Sequence, residues 1–259
     1  MNRPLQKKEN EILRAVLLVG GLGTRLRPVV SSAPKALAKV GDGSFLALLI
    51  RQLRHQGIRH LVMCTGYLGE QIEETFGDGR PWDVAIEYSR ELSPMGTAGA
   101  LKLAQPYLQD DAVFLVMNGD SFVEADLPRL IEFHRQHGGP VSMAVVRVEN
   151  AARYGTVEME ADGRVIGFAE KTGRAVPGMV NAGIYIFDRS VLELIPEGPA
   201  SLERDVFPRA LADGVYALEQ KGMFIDIGTP EDYARAQALS DKLYEKAFEK
   251  QACPGAEDA

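Results

Sequence analysis

The chain has 259 residues, 46% of them hydrophobic and 25% charged, and its formal net charge is −7. That length suits one α/β domain with a full core, and the acidic balance excludes a broad nucleic-acid face, which would be basic. No apolar run approaches the roughly 18–20 residues of a membrane span, residues 1–11 lack the apolar stretch of a signal peptide, and two cysteines, Cys64 and Cys253, are too few for a zinc site; a cytoplasmic protein with neither nucleic-acid nor membrane partner is expected.

The first strand is predicted at 15–19, an unbroken apolar run closed by Gly20 and Gly21. Continuous rather than alternating apolarity marks a parallel strand covered on both faces. Ser44 is placed to cap a helix running to about His55, with Phe45, Leu48, Leu49 and Leu53 on one face and Gly57 beyond its end. A strand at 61–65, a helix at 68–76, a strand at 84–88 and a helix from about Thr97 follow. Next come a strand at 113–117, ending in Asn118, Gly119 and Asp120, and a helix at 127–137. This alternation predicts a Rossmann-like α/β fold: a doubly wound, mostly parallel mixed sheet with helices on both faces.

The pattern then changes. Strands are predicted at 141–148, 156–159, 164–169 and 180–187, with Asp162-Gly163 turning a hairpin between the second and third. Helices at 189–194 and 202–213 and short strands at 215–218 and 223–227 precede a final helix from Glu231 to about Phe248, opened by Pro230. The polar residues from Lys250 onward read as a frayed tail. One domain is expected over 14–240, in two halves at about 14–137 and 138–240, with a polar extension at 1–13 and a helical end and tail at 241–259.

Three places carry candidate chemistry. In Gly20-Gly21-Leu22-Gly23-Thr24-Arg25-Leu26, glycines let the backbone approach a ligand, their N–H groups can cradle phosphate, and Arg25 adds charge; a tight βα turn with an incidental arginine would look the same. The loop is no dinucleotide fingerprint, because Leu26 stands where a third glycine would be, and no P-loop. Asp120 ends a buried strand, where open α/β sheets gather ligands, and can hold Mg²⁺ or simply shape a turn. Asp226, between Ile225 and Ile227, needs a partner because an unpaired buried charge is costly; a metal ion or a basic side chain would serve. Glu170-Lys171 taken alone is an ordinary solvated pair, whereas Asn181 in an apolar run wants hydrogen-bond partners. His55, His60, His134 and His137 fall in helical or solvent-facing patterns, and none is a catalytic candidate.

The run from Gly20 to Pro28 followed by Pro34-Lys35 resembles the signature loop of the sugar-1-phosphate nucleotidyltransferase family. Further motifs stand in family order: Pro94-Met95-Gly96-Thr97-Ala98-Gly99, the strand end at Asp120, Glu170-Lys171 with Asn181, and Asp226-Ile227-Gly228-Thr229-Pro230. The likeness runs from about Arg14 to Ala236; one departure is Ala36, where the family has a second proline. The resemblance implies a nucleotidyltransferase (GT-A-like) fold and transfer of a nucleoside monophosphate from a nucleoside triphosphate to a sugar 1-phosphate, with Mg²⁺ and release of pyrophosphate. It implies that Leu18, Gly20, Gly21, Gly23, Thr24, Arg25, Gly96, Thr97, Asn118 and Asp120 bind the nucleotide. Tyr154, Gly155, Glu170, Lys171, Asn181 and Gly183 would bind the sugar phosphate. Arg25, Lys35 and Lys171 would bring catalytic charge to the phosphates, and Asp120 and Asp226 would hold the metal.

Within the family the chain most resembles D-glycero-D-manno-heptose 1-phosphate guanylyltransferases, through Arg153-Tyr154-Gly155-Thr156-Val157, Asn181-Ala182-Gly183-Ile184-Tyr185 and Ser201-Leu202-Glu203. That implies GTP and heptose 1-phosphate. Mannose 1-phosphate guanylyltransferases, and uridylyl- or thymidylyltransferases acting on N-acetylmuramate or glucose 1-phosphate, are the neighbouring alternatives; a non-catalytic nucleotide-sugar-binding regulator is the alternative of another class. A monomer or homodimer is expected.

Overall fold

Along β1 (Arg14–Leu18) successive side chains point to opposite faces, and both faces are covered. Ala15 and Leu17 join a core with Phe45, Leu49 and Ile186, while Val16 joins a second core with Leu101, Phe114 and Phe207. The protein, a computed structural model describing residues 13–169, 173 and 175–248, is therefore a three-layer α/β fold with one sheet between two apolar cores.

The elements follow in chain order: β1, β2 (Lys39–Val40), β3 (Gly43–Ser44), α1 (Phe45–His55), β4 (His60–Thr65), α2 (Gly69–Phe76), β5 (Ala85–Arg90), α3 (Gly96–Leu103), β6 (Val113–Asn118), β7 (Ser121–Val123) and α4 (Leu127–His137). The second half contains β8 (Val141–Val148), β9 (Thr156–Met159), β10 (Val165–Ala169), β11 (Gly178–Asp188), α5 (Val191–Leu194), α6 (Phe207–Ala210), β12 (Val215–Glu219), β13 (Phe224–Asp226), α7 (Pro230–Ala238) and α8 (Ser240–Phe248). Strands β5, β4, β1 and β6 lie side by side and parallel. Strand β11 runs antiparallel to β6 and carries β9 and β8 antiparallel to itself; β12 then joins β8 in parallel. The parallel half brings the carboxyl ends of β1, β4, β5 and β6 to one edge, where an open α/β sheet binds its ligands.

Local signals explain most boundaries. Ser44 Oγ accepts from Ala47 N–H at 3.2 Å at the start of α1, and Asp126 Oδ1 accepts from Arg129 N–H at 2.9 Å at the start of α4. The Asp162-Gly163 turn joins β9 to β10 as predicted, with a register shift between Val165 and Gly167.

Three predictions need correction. The helix expected at 202–213 is a wide π turn (Leu202–Val206), then α6, then a 3₁₀ turn. Pro208 has no N–H to give Arg204, and Phe207 N–H instead reaches back five residues to the Leu202 carbonyl. The helix expected from Glu231 to Phe248 is two helices meeting at Leu239, a break that lets α8 lay Leu243 and Ala247 into the core beside α1. The strand expected at 223–227 forms but spans only three residues, and as β13 it pairs antiparallel, outside the main sheet, with β7, which no periodicity announced. Cys253 and the tail from Lys250 lie outside the described residues, as does the extension except Leu13. Among the described residues, no helix is long and apolar enough to cross a membrane.

His134 sits in α4 but is buried rather than solvent-facing, with Nδ1 3.0 Å from Ser142 Oγ and Nε2 3.3 Å from Asp188 Oδ1. Burial lowers its pKa from the ordinary 6.5, against the opposing pull of Asp188. A depressed histidine is neutral in the fold while the unfolded chain takes up a proton. Its contribution to stability is present above pH 6.5 and lost as pH falls toward the folded pKa. Thermal melts should therefore show a Tm that declines from about pH 7 to about pH 5.5, with a shallower decline in His134→Gln; equal slopes in the two proteins would refute this role.

Candidate active site

The site grows from the carboxyl edge of the parallel strands. The loop after β1 runs past Lys35, which opens a short 3₁₀ turn (Lys35–Leu37) after Pro34. Ala36 is buried and the turn forms without a second proline, with Ala38 N–H donating to the Lys35 carbonyl at 3.0 Å. Lys35 Nζ donates to Asp120 Oδ2 at 2.8 Å. Asp120 follows β6, and its carbonyl accepts from Ile227 N–H at 2.9 Å. In the β7–β13 ladder Asp226 stands opposite Ser121, so the pairing of these short strands sets Asp226 beside Asp120.

Asp226 Oδ1 accepts from Gly228 N–H. Burial and then the Asp120 charge push the Asp226 carboxyl above the ordinary carboxylate range, against the attraction of Lys35. Two adjacent carboxylates share one lysine, which leaves uncompensated negative charge and oxygen donors suited to a hard divalent cation. Among the described residues no cluster of three or more His, Cys, Asp or Glu forms, so a cation held by this pair would keep positions for water or ligand oxygens.

Two cavities meet here. The first, about 410 Å³, is lined by Leu18, Gly20, Gly21, Gly23, Thr24, Arg25, Gly96, Thr97, Asn118 and Asp120, all ten residues predicted on the nucleotide side, together with Lys35. The second, about 550 Å³, is lined by Tyr154, Gly155, Asn181 and Asp226 among others. Arg25 and Asn118 line both. Glu170 and Lys171 lie outside the described residues, but Ala169, just before them, lines the second cavity.

Gly183 does not line either cavity. It is buried with φ +76°, and a Cβ there would lie 2.7 Å from Asn118 Nδ2, so its bare Cα makes room for Asn118. Asn181 is pinned as its sequence context demands: Nδ2 donates to Tyr185 Oη at 2.8 Å and Oδ1 accepts from Gly183 N–H at 2.9 Å. The start of α3 is braced by the segment before the π turn. Ala98 N–H donates to the Ala200 carbonyl at 2.9 Å, and Thr97 Oγ1 accepts from Leu202 N–H at 2.8 Å and donates to Glu203 Oε2 at 3.3 Å.

Several lining residues escaped sequence reasoning. Phe168, Phe207 and Arg204 wall the second cavity, and Arg153 there is tied to Asp232, itself bonded by Thr229 Oγ1 at 2.9 Å. The notable omission in the first cavity is Glu91. Its only sequence signal is its place directly after β5, on the edge that carries the other site loops.

Residues 14–242 match the family described as nucleotidyl transferase. The chain belongs to the nucleotidyl transferase family. It is 40% identical over 228 residues to mannose-1-phosphate guanylyltransferase of Mycobacterium tuberculosis, covering 86% of this chain and 63% of the relative. It is 38% identical over 230 residues to the mannose-1-phosphate guanylyltransferase catalytic subunit beta of Drosophila pseudoobscura, covering 87% and 62%. The chain thus spans a little under two thirds of the length of these curated relatives. Among solved structures, HddC from Yersinia pseudotuberculosis, complexed with GMP-PN, superposes with a TM-score of 0.78 at 32% identity, covering 87% of this chain and 98% of that one. A putative glucose-1-phosphate thymidylyltransferase from Bacillus anthracis shares the fold, with a TM-score of 0.79 at 23% identity over 93% and 97% of the two chains. The family resemblance and the nucleotidyltransferase fold expected from the motifs are both borne out.

Proposed function

We propose that the chain transfers a nucleoside monophosphate from a nucleoside triphosphate, GTP by preference, to a manno-configured sugar 1-phosphate, releasing pyrophosphate. D-glycero-D-manno-heptose 1-phosphate is the first choice, from the motif likeness. Mannose 1-phosphate is the second, favoured by the names of the Mycobacterium and Drosophila relatives. The observation that carries the reading is the meeting of the two cavities at Arg25 and Asn118, with Lys35, Asp120 and Asp226 in their walls. The division into a nucleotide half (14–137) and a sugar-phosphate half (138–240) belongs to the same proposal. Apart from Gly228, the first cavity is lined by residues up to Asp120, and most of the second by residues from Arg153 onward.

In the proposed reaction a phosphate oxygen of the sugar 1-phosphate attacks the α-phosphorus in line. One P–O bond forms, the bond to the bridging oxygen of the β-phosphate breaks, and pyrophosphate leaves with the electron pair. The attacking oxygen is already anionic near neutral pH, so positioning and charge do the work. Two unit charges about 4 Å apart at an effective dielectric near 20 repel by about 4 kcal/mol. Arg25 and Lys35 offset that repulsion on the triphosphate side, and Lys171, with Glu170 accepting from sugar hydroxyls, serves the other. A divalent ion, Mg²⁺ in this proposal, would be held by Asp120 and Asp226 and supplies further charge neutralisation when bound.

Pyrophosphate release measured over a matrix of GTP, UTP, dTTP, CTP and ATP against heptose, mannose, glucose and N-acetylmuramic acid 1-phosphates tests this. The strongest rate is expected with GTP and heptose 1-phosphate. A stronger rate with mannose 1-phosphate moves the sugar and keeps the base. No turnover with any pair sinks the catalytic proposal and leaves the regulatory binding alternative.

A further inference from the structure

With nucleotide and sugar phosphate assigned to the two cavities as proposed above, a reading on which this step rests, one side chain of the first cavity also supports the wall of the second. Thr97, in the first turn of α3, lines the first cavity with Gly96 and Ala100. Its hydroxyl is engaged by the other cavity's wall: Oγ1 accepts from Leu202 N–H at 2.8 Å and donates to Glu203 Oε2 at 3.3 Å. Leu202 and Glu203 open the π turn, which with α6 presents Glu203, Arg204, Phe207 and Pro208 to the second cavity. Two further bonds tie the same stretch of α3 to the residue ahead of that turn, as Ala98 N–H and Gly99 N–H donate to the Ala200 carbonyl at 2.9 and 3.3 Å.

The π turn depends on that outside help. The first N–H groups of a helical turn have no partner within it. Ser201 meets part of the need itself, its Oγ accepting from Arg204 N–H at 3.3 Å and donating to Glu203 Oε2 at 2.7 Å. Leu202 N–H is left to a side chain of another element, Thr97. A hydroxyl has one proton and two lone pairs. Thr97 commits the proton to Glu203 and one lone pair to Leu202, which leaves one acceptor for a donor group of the nucleotide. A donor arriving there polarises the hydroxyl and strengthens its bond to Glu203. We infer that Thr97 is a positioning residue for the sugar-phosphate side. It holds the π turn, and through it a wall of the second cavity, so that filling the first cavity firms the second and the two substrates tighten each other's binding.

The competing role is a plain anchor that steadies both walls without linking the two ligands. Calorimetry separates the roles. The probes are the α,β-methylene analogue of GTP, whose carbon bridge blocks release of pyrophosphate, and whichever of heptose 1-phosphate and mannose 1-phosphate binds more tightly. Each is titrated alone and again with the other saturating, with Mg²⁺ present throughout. In wild type each ligand should tighten the other by the same factor, about 5- to 30-fold, because coupling between two sites is reciprocal. Thr97→Val keeps the shape and removes the hydroxyl, and should bring that factor to within about twofold of unity. Thr97→Ser should retain it. Glu203→Ala, a change on an exposed side chain, should lower it partway, because Leu202 N–H keeps its acceptor. Weaker binding of each ligand alone with an unchanged factor in Thr97→Val and Glu203→Ala means a plain anchor and overturns the assignment. Turnover by a wild type whose factor is near unity sinks the assignment alone. A wild type that binds neither probe sinks the proposed function and this assignment with it.

Discussion

Asp226→Asn is expected to lower turnover by about 10³-fold or more while leaving the protein at least as stable as wild type. The stability half of this outcome follows from the direction of the Asp226 pKa. Its folded pKa lies above the unfolded value, chiefly through burial and then the Asp120 charge, so the ionised group disfavours the fold at neutral pH. Asparagine removes that charge and keeps an oxygen for Gly228 N–H. Asp120→Asn should lose turnover to a similar degree but also lose stability, because Lys35, whose side chain is only 13% exposed, would give up its carboxylate at 2.8 Å. Added Mg²⁺ should raise the wild-type Tm and leave that of Asp226→Asn unchanged. Thermal melts with and without Mg²⁺, alongside pyrophosphate release, check each part. A rate for Asp226→Asn within tenfold of wild type would remove this carboxylate from the proposed metal site. The opposite stability effects distinguish two aspartates that look equivalent in the sequence.

Gly96→Ala should destabilise the protein by about 3 kcal/mol or more and weaken nucleotide binding with it. Gly96 opens α3 at φ +71°, a backbone region that L residues enter at a cost of about 1–2 kcal/mol. A Cβ there would also lie 2.5 Å from the Ala200 carbonyl oxygen. That oxygen cannot readily withdraw, because it accepts from Ala98 N–H at 2.9 Å and Gly99 N–H at 3.3 Å. Gly138→Ala is the matched control. Gly138 has φ +66° but nothing within 4 Å of an added Cβ, so it should cost only about 1 kcal/mol. Denaturant melts of the two variants check the difference, and equal losses would mean that backbone conformation alone, not the contact with Ala200, governs both. If Gly96→Ala kept wild-type nucleotide affinity, the brace between Ala200 and α3 would be irrelevant to the cavity.

Much of this architecture is legible in the sequence. The unbroken apolar run of β1, the capping residue Ser44 and the Asp162-Gly163 turn are local signals, and each marks the element or turn it predicts. The glycine-rich loop and Lys35 were legible for the same reason: closely spaced residues leaving one strand must reach the same carboxyl edge. Not legible was the part Gly183 plays in packing: its bare Cα makes room for Asn118, a partner from another strand.

What the sequence by itself determined, then, was which segments become strands and helices and which loops gather at the carboxyl edge of the sheet, because periodicity, capping and turn preferences act over a few residues. Only the tertiary structure decided that β13 leaves the main sheet to pair with β7, setting Asp226 beside Asp120. Strands of three residues carry too little pattern to announce a partner. It also decided that α7 and α8 are separate helices, and that Glu91 lies in a slot made by Gly20 and Gly66. The charge state and purpose of a carboxylate depend on groups delivered by several loops at once, and that convergence exists only after the sheet has assembled.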